Sequence, residues 1–474
     1  MSTGRRRFDL GMMKIILALA WPTMLEQLLH TAVQYVDTAM VGSLGTQATA
    51  AVGATSTVSW LVGSTVSAFG IGFLSYIAKS LGAGDEEGAR RASGQVVFVT
   101  LLLGSLLTVL TTALSPVIPV LMKVEEGTRA LASTYFLILY LPMLPRCATT
   151  LFGTVLRAAG DTKSPMKIGV LVNLVNVLLN FLLIYPTRTV NLFGRDLIII
   201  GADLGVIGAA VASAIAFTLG GVIITIVLLR HPRVSPIGQR ILPDTKVLAP
   251  ALKVAFPNML QRFGTSLGYV VFASMINSLG DIATAAHTIA NTVESAFYIP
   301  GYGMQTAAAT LAGNAYGAKD EQGIKRLARM FIPIEISLMV ISGGLLFVLA
   351  PPLVSLFTSS DAVKELAVTV LRMVAVSEPL YGFSIIIEGM MQGVGKTRLP
   401  FIFNILGMWC VRIVGTFFSI TLLGGDLVSA WACMILHNVL LFLLFLLSYI
   451  VGWWSPFPRK TRKLEKEDSR AEGT

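Results

Sequence analysis

Apolar residues along this chain come in twelve runs of spanning length, at about 15–41, 54–78, 96–122, 131–156, 166–185, 205–229, 248–278, 288–313, 330–357, 366–391, 400–422 and 427–452. A helix of about 20 apolar residues is long enough to cross a bilayer. The pattern predicts an all-α integral membrane protein of twelve transmembrane helices, with short loops and no stretch long enough for a separate soluble domain.

The polar punctuation between the runs repeats. At a constant offset of 235 residues, Pro22, Met24 and Leu25 meet Pro257, Met259 and Leu260, and Ser43-Leu44-Gly45 meets Ser278-Leu279-Gly280. The same offset carries Gly82, Asp85, Gly88 and Arg91 onto Gly317, Asp320, Gly323 and Arg326, and Gly160, Thr162 and Pro165 onto Gly395, Thr397 and Pro400. After the fifth span the offset falls to 221, because the first half carries 14 extra residues in the loop around Thr187 to Asp203. Each half holds six spans, an even number, so both copies enter the membrane in the same orientation. This predicts two parallel six-helix bundles, related by an axis along the membrane normal and enclosing a cavity suited to alternating access. The expected divisions are a 1–14 N-terminus, an N-lobe at 15–230, a linker at 231–247, a C-lobe at 248–452 and a basic tail at 453–474.

Composition agrees: 54% of residues are hydrophobic and only 13% charged, against about a quarter charged in soluble domains. The net charge of +10 is not read as a nucleic-acid footprint, because the basic residues sort by side: 27 of the 36 Lys and Arg fall on the side of the two termini. Both termini are therefore expected in the cytoplasm of a multi-pass plasma-membrane protein. Arg5, Arg6 and Arg7 before an apolar run imitate a cleavable secretory signal, but that segment has a mate in the second half and is expected to be retained. The tail with Arg459, Lys460, Arg462 and Lys463 reads as a solvated flank after the last span. Cys147, Cys410 and Cys433 lie inside apolar runs and read as packing residues.

An ionisable side chain inside a span is costly and marks a functional candidate. Asp37 leads, because it lies about two-thirds of the way along the first span and its mate at the 235 offset is Phe272. A carboxylate in such a cavity can take a proton or sodium ion and compete with a cationic substrate for the same charge. On the fifth span Asn173, Asn176 and Asn180 recur at spacings of three and four, a polar stripe that either supplies oxygens to an ion and anchors Asp37 or fastens the bundle. Asp37, Asn176 and Asn180 are taken as the ion-coupling group, and Gln34, one turn before Asp37, as cavity-lining.

Glu294 and Glu388 are the further cavity candidates, because Ser59 and Gly153 stand at their mates. Glu335 and Glu378 also lie within or at the ends of spans; Arg262 and Arg412 are available partners for the four acids, and pairing is the simpler explanation for any two of them. Arg146 is expected to neutralise one of these acids or Asp37. Glu26, whose mate is Gln261, is either a second titrating group or paired to a neighbouring helix. Pro22, Pro257, Pro300 and Pro379 are expected to bend their spans.

Enzymatic chemistry finds no parts. Gly393-Val394-Gly395-Lys396-Thr397 ends like a phosphate loop, but Met390 stands at the required first glycine and a spanning helix precedes it. The four histidines lack metal-ligand spacing, and no serine or cysteine sits in a recognisable nucleophile turn. No cofactor or enzyme activity is expected.

Trp21-Pro22 followed by Val36-Asp37-Thr38-Ala39-Met40-Val41-Gly42, Ala286-His287-Thr288-Ile289-Ala290, and Gly82 to Gly88 with its copy resemble the multidrug and toxic-compound extrusion (MATE) family over nearly all of residues 10–452. The resemblance implies a sodium- or proton-coupled antiporter that exports bulky organic cations through a V-shaped pair of lobes. It also implies a first-lobe site at Asp37 with Asn176, Asn180 and Ser213. Some members carry an aspartate where this chain has Asn180 and a tyrosine where it has Val33; others carry acids at the positions of Thr265 and Tyr381. The alternatives are a lipid-linked saccharide flippase or a dedicated metabolite exporter of related fold. A monomer is expected, since the cavity lies within one chain.

Overall fold

The computed structural model describes residues 10–457 apart from 123, 193 and 194. The chain runs α1 (Leu10–Gly42), α2 (Thr46–Gly82), α3 (Glu86–Leu114), α4 (Ile118–Leu121), α5 (Glu126–Tyr140), α6 (Met143–Ala158) and α7 (Lys163–Leu183). After a β1–β2 hairpin (Pro186–Leu192, Arg195–Ala202) it continues as α8 (Gly205–Arg230), α9 (Thr245–Asn277), α10 (Asp281–Gly317), α11 (Glu321–Ser355), α12 (Asp361–Ala375) and α13 (Glu378–Gly393). It closes with α14 (Arg398–Ile405), a π-helical stretch (Leu406–Ile413), α15 (Val414–Leu423) and α16 (Leu427–Val451). Eight helices are long and apolar enough to cross a membrane, two bent pairs make ten, and α9 and α10, at 33 and 37 residues, complete the twelve as less apolar spans. The tail cluster from Arg459 onward and Arg5 to Arg7 lie outside the described residues.

The 235-residue register survives as geometry. Shifted by that offset, the bounds of α1, α2, α5 and α6 become those of α9, α10, α12 and α13. Each half carries its own apolar interior: one cluster around Phe73, Phe136, Leu151 and Ile224, and two in the second half around Phe331, Phe383 and Phe445 and around Phe272, Leu371 and Trp431. Large apolar side chains such as Val109, Leu178, Val348 and Leu447 point outward, as expected where the surrounding solvent is lipid.

Three features depart from the sequence expectation. The fourth and tenth spans are broken, bending by 47° between α5 and α6 and by 52° between α12 and α13. Pro142 caps α6 and Pro379 starts α13, where a missing N–H costs nothing, whereas Pro22, Pro257 and Pro300 lie within unbroken helices. The extra residues of the first half form the antiparallel hairpin, with Arg188 stacked over the Phe181 and Tyr185 rings at 4.0 and 4.3 Å. The π-helical stretch inside the eleventh span carries Arg412.

The halves meet by an exchange that obeys the same symmetry: α1 packs along α10, and α9 along α2. At the end of the bundle where Tyr316 packs against Phe457, α2 and α10 cross at their last turns. Gly82 lies on the backbone of Asn314, and its mate Gly317 on the backbone of Lys79. A Cβ at either glycine would overlap the facing carbonyl, so only glycine permits this approach. Lys79 Nζ sits 4.8 Å from the centre of the Tyr316 ring and closes the same junction. Ser75 adds a hydrogen bond to the Gly393 carbonyl at 2.8 Å.

Candidate functional site

The polar stripe of α7 faces α1 and α8. Asn176 and Asn180, one turn apart, are both buried, and Asn180 Nδ2 donates to Asp37 Oδ1 at 2.6 Å. In the amide orientation that satisfies both of its ends, Asn176 Nδ2 donates to Asp37 Oδ1 at 2.9 Å and its carbonyl accepts from Ser213 Oγ of α8 at 3.0 Å. Asp37, Asn176, Asn180 and Ser213, from three helices, thus form one connected group, with both asparagines on the carboxylate and Ser213 on Asn176. Asn180 Oδ1 is buried beside this carboxylate with no hydrogen-bond partner. Oxygen atoms from a carboxylate, an amide and a hydroxyl are the donors a hard monovalent cation takes, and the carboxylate alone accepts a proton.

Gln34 is not drawn into this group. Its side chain is exposed and, among the described residues, makes no side-chain hydrogen bond to Asp37 or the asparagines. Tyr35 reaches the other half instead: its hydroxyl donates to the Thr292 carbonyl at 2.9 Å and lies 2.7 Å from Ser295 Oγ on α10. Glu294, between those two contacts, is buried in α10, so the acid belongs to the interior of the second half and not to the Asp37 group.

The arginine partners differ from expectation. Arg146 makes no ion pair among the described residues; its guanidinium lies over the Phe217 ring at 4.7 Å and the Tyr140 ring at 5.6 Å, a placement in which aromatic faces offset the charge. Arg412 likewise lies over Phe272 at 4.3 Å and Tyr269 at 4.9 Å and reaches Met434, and Arg262 donates to Asn258 Oδ1 at 3.1 Å. Neither forms an ion pair with Glu294, Glu335, Glu378 or Glu388 among the described residues. Glu335 is fully buried, and both of its carboxyl oxygens lack a hydrogen-bond partner.

Glu26 is paired. Arg157 at the end of α6 donates Nη2 to Glu26 Oε1 at 2.6 Å, with both side chains about four-fifths buried. The mates of these residues in the second half are Gln261 and Gln392, and there the acid is Glu388 of α13. Its Oε1 accepts from Gln261 Nε2 at 2.8 Å and Gln392 Nε2 at 3.0 Å, and its Oε2 from Asn404 Nδ2 at 3.1 Å. Sequence reading singled out Glu388 but missed its amides and Arg157; the signal lay in the same offset, which puts Arg157 opposite Gln392. Breaking the first pair strands a largely buried carboxylate, so Arg157→Ala is expected to cost about 1–3 kcal/mol and lower the thermal midpoint. Glu26→Gln in that background, which removes the stranded charge, should recover most of the loss; a thermal shift series on the purified variants reads both.

The fold recurs among known proteins. The MatE family model matches residues 22–182 and 257–418, one stretch in each half. A relative named a probable multidrug resistance protein NorM, from Thermotoga maritima, is 27% identical over 454 residues, 96% of either chain. The probable multidrug resistance protein YoeA of Bacillus subtilis is 27% identical over 402 residues, 83% of either chain. Among solved structures, a multidrug resistance MATE family transporter of the MOP superfamily in an outward-facing conformation superposes with a TM-score of 0.85 at 22% identity, covering 94% of this chain and 97% of the other. A Pyrococcus furiosus MOP superfamily transporter, described as having a binding pocket of reversed polarity, gives 0.85 at 23% identity over the same shares. With two matched family segments lying on symmetry-related spans and together covering more than half its length, the chain belongs to the MATE (MatE) family of multidrug efflux transporters.

Proposed function

We propose that this transporter is a cation-coupled antiporter that exports organic cations from the cytoplasm across the plasma membrane, driven by sodium ions or protons entering at Asp37. The observation that carries the reading is one carboxylate, Asp37, held by the amides of Asn176 and Asn180 beside an unpartnered Asn180 oxygen. A single negative charge in that setting serves a small coupling cation or a cationic cargo, and occupancy by one disfavours the other. The remaining cavity calls, Gln34, Ser213, Glu294 and Glu388, are proposed here as substrate-lining, with Ser213 orienting Asn176. In this reading residues 15–230 and 248–452 are the two moving lobes, 231–247 links them, both termini are cytoplasmic and the unit is a monomer. Arg146 and Arg412 lie on aromatic rings and Arg157 on Glu26, which favours a cationic cargo over an anionic lipid-linked saccharide.

The test is ethidium accumulation in a pump-deficient bacterial host expressing the protein, with sodium present or replaced and with an uncoupler added. Accumulation severalfold below that of empty-vector cells, lost on sodium removal or on uncoupling, is the expected outcome and identifies the ion. Accumulation equal to the empty-vector level in every condition overturns the organic-cation reading.

A further inference from the structure

The chain leaves the last helix of each half by a different route. Beyond α8 it is tied to α3: Gln95 Nε2 donates to the Arg240 and Leu242 carbonyls at 3.1 and 2.9 Å, and Arg233 pairs with Glu86 at 2.9 Å. Beyond α16 it is tied to other elements of its own half. Gly452 takes a left-handed conformation (φ 91°) that ends the helix, and the chain folds back as a strap over 452–457. Lys396, from the turn whose sequence imitates a phosphate loop, donates Nζ to the Trp453 and Ser455 carbonyls at 2.9 and 2.6 Å. Its mate at the 235 offset is Asp161, which instead accepts from the Ser164 N–H at the start of α7. Trp454 is buried, stacks on Tyr449 with 5.4 Å between ring centres, and donates Nε1 to the Tyr449 carbonyl at 3.2 Å.

The strap ends on the helix crossing. The Phe457 and Tyr316 rings meet edge to face, 5.7 Å between centres and 77° between planes. Tyr316 lies in the last turn of α10, one residue before Gly317, and is the ring over which Lys79 of α2 sits at 4.8 Å. Of these three side chains only Lys79 belongs to the first half. A phenol ring attracts a cation only through its face, and a ring packed edge to face against it limits the directions in which that face can turn. The contact has no symmetric copy, because the mates of Lys79 and Tyr316 are Asn314 and Leu81.

Resting on the moving-lobe reading above, with the α2–α10 crossing as the place where the lobes part, we propose that the strap is a positioning element of the transport cycle. Lys396 anchors it, Phe457 holds Tyr316 in the attitude that receives Lys79, and the contact so formed prolongs the state in which the lobes meet at this end. Gly82 and Gly317 let the two helices touch, and the strap adds an attraction that keeps them there. A cation–π contact at a partly buried site shifts such an equilibrium by about three- to tenfold, enough to bias a cycle without locking it.

The experiment reads the distance between spin labels at Arg91 and Lys325 by electron–electron resonance, in the purified full chain in lipid nanodiscs. The variants are Phe457→Ala, Phe457→Tyr, Lys396→Met, Lys79→Met and Phe457→Ala combined with Lys79→Met, with wild type and Gly82→Leu as references. Phe457→Ala, Lys396→Met and Lys79→Met should each raise the ratio of longer to shorter distance about three- to tenfold, while Phe457→Tyr, which keeps the ring, should stay within about twofold of wild type. In the Lys79→Met background Phe457→Ala should add less than about twofold, because its effect passes through the ring that Lys79 faces. If Gly82→Leu lengthens the distance but Phe457→Ala or Lys396→Met does not, the strap is packing alone, and the proposal fails with the moving lobes standing. A Phe457→Ala shift undiminished in the Lys79→Met background also overturns it, since Phe457 then acts elsewhere than on Tyr316. A Gly82→Leu protein with wild-type distances overturns the crossing as a gate and the strap with it. Elution profile and thermal midpoint of each variant separate a shifted equilibrium from a lost fold.

Discussion

Asp37→Asn is expected to abolish export, raising ethidium accumulation in expressing cells to the level of cells without the transporter, a loss of at least about tenfold in efflux rate. Asparagine has nearly the same shape, and its oxygen can still accept from Asn180, so the helix contacts among α1, α7 and α8 persist and the protein should reach the membrane at normal levels. What disappears is the charge. A neutral amide neither holds a proton nor balances a sodium ion in a desolvated setting, where ion binding depends on that charge. Asn180→Ala, which removes the strongest donor to the carboxylate and its unpartnered oxygen, should slow export less severely, by about tenfold. Ser213→Ala, one bond further away through Asn176, should slow it by about two- to threefold. Export unchanged in Asp37→Asn would remove this site from the mechanism.

Gly82→Leu and Gly317→Leu are expected to stop transport by a different route. The two glycines bring the last turns of α2 and α10 into backbone contact, and any side chain there meets a facing carbonyl that cannot move without its helix. Overpacking of this kind costs about 1–3 kcal/mol where neighbours yield, and backbone atoms yield least. A difference of that size shifts a two-state equilibrium by about 5- to 150-fold, enough to populate the form in which the lobes stand apart at this end. Electron–electron resonance between spin labels at Arg91 and Lys325, both exposed and on opposite halves, should show the longer distance dominating in Gly82→Leu. Gly344→Leu on α11, where a Cβ meets nothing within 4 Å, is the control and should leave both distance distribution and export unchanged. If Gly82→Leu transports like wild type, the crossing is not a gate.

The architecture was largely legible because lipid imposes one rule: each crossing is a helix with an apolar surface, so spanning runs and their repeat can be counted along the chain. The matching bounds of α1 with α9 and α2 with α10 are the 235-residue register made physical. The hydrogen-bonded group at Asp37 was legible for a similar reason, since Asp37 had no acidic mate and Asn176 and Asn180 share a helix face. The breaks at Leu141–Pro142 and Val376–Ser377 were not, because both halves of each bent span are apolar and hydropathy does not register a change of direction. Arginine partners were misjudged because a buried guanidinium was assumed to seek a carboxylate, whereas Arg146 and Arg412 lie on aromatic faces brought from other spans. The edge-to-face grouping of Tyr298, Tyr302 and Tyr381 was not legible, since it depends on how α10 meets α13, a tertiary fact. Gly82 and Gly317 appeared in the repeat but carried no meaning until the helices were seen to cross.

The most direct test of the account is organic-cation flux in proteoliposomes of purified wild type and Asp37→Asn, with an imposed sodium gradient in one set and a proton gradient in the other. The account predicts that one of the two gradients accelerates flux through wild type by about tenfold or more and that neither accelerates it through Asp37→Asn. Equal acceleration of both proteins by the same gradient would contradict it, because the coupling cation would then be binding somewhere other than Asp37.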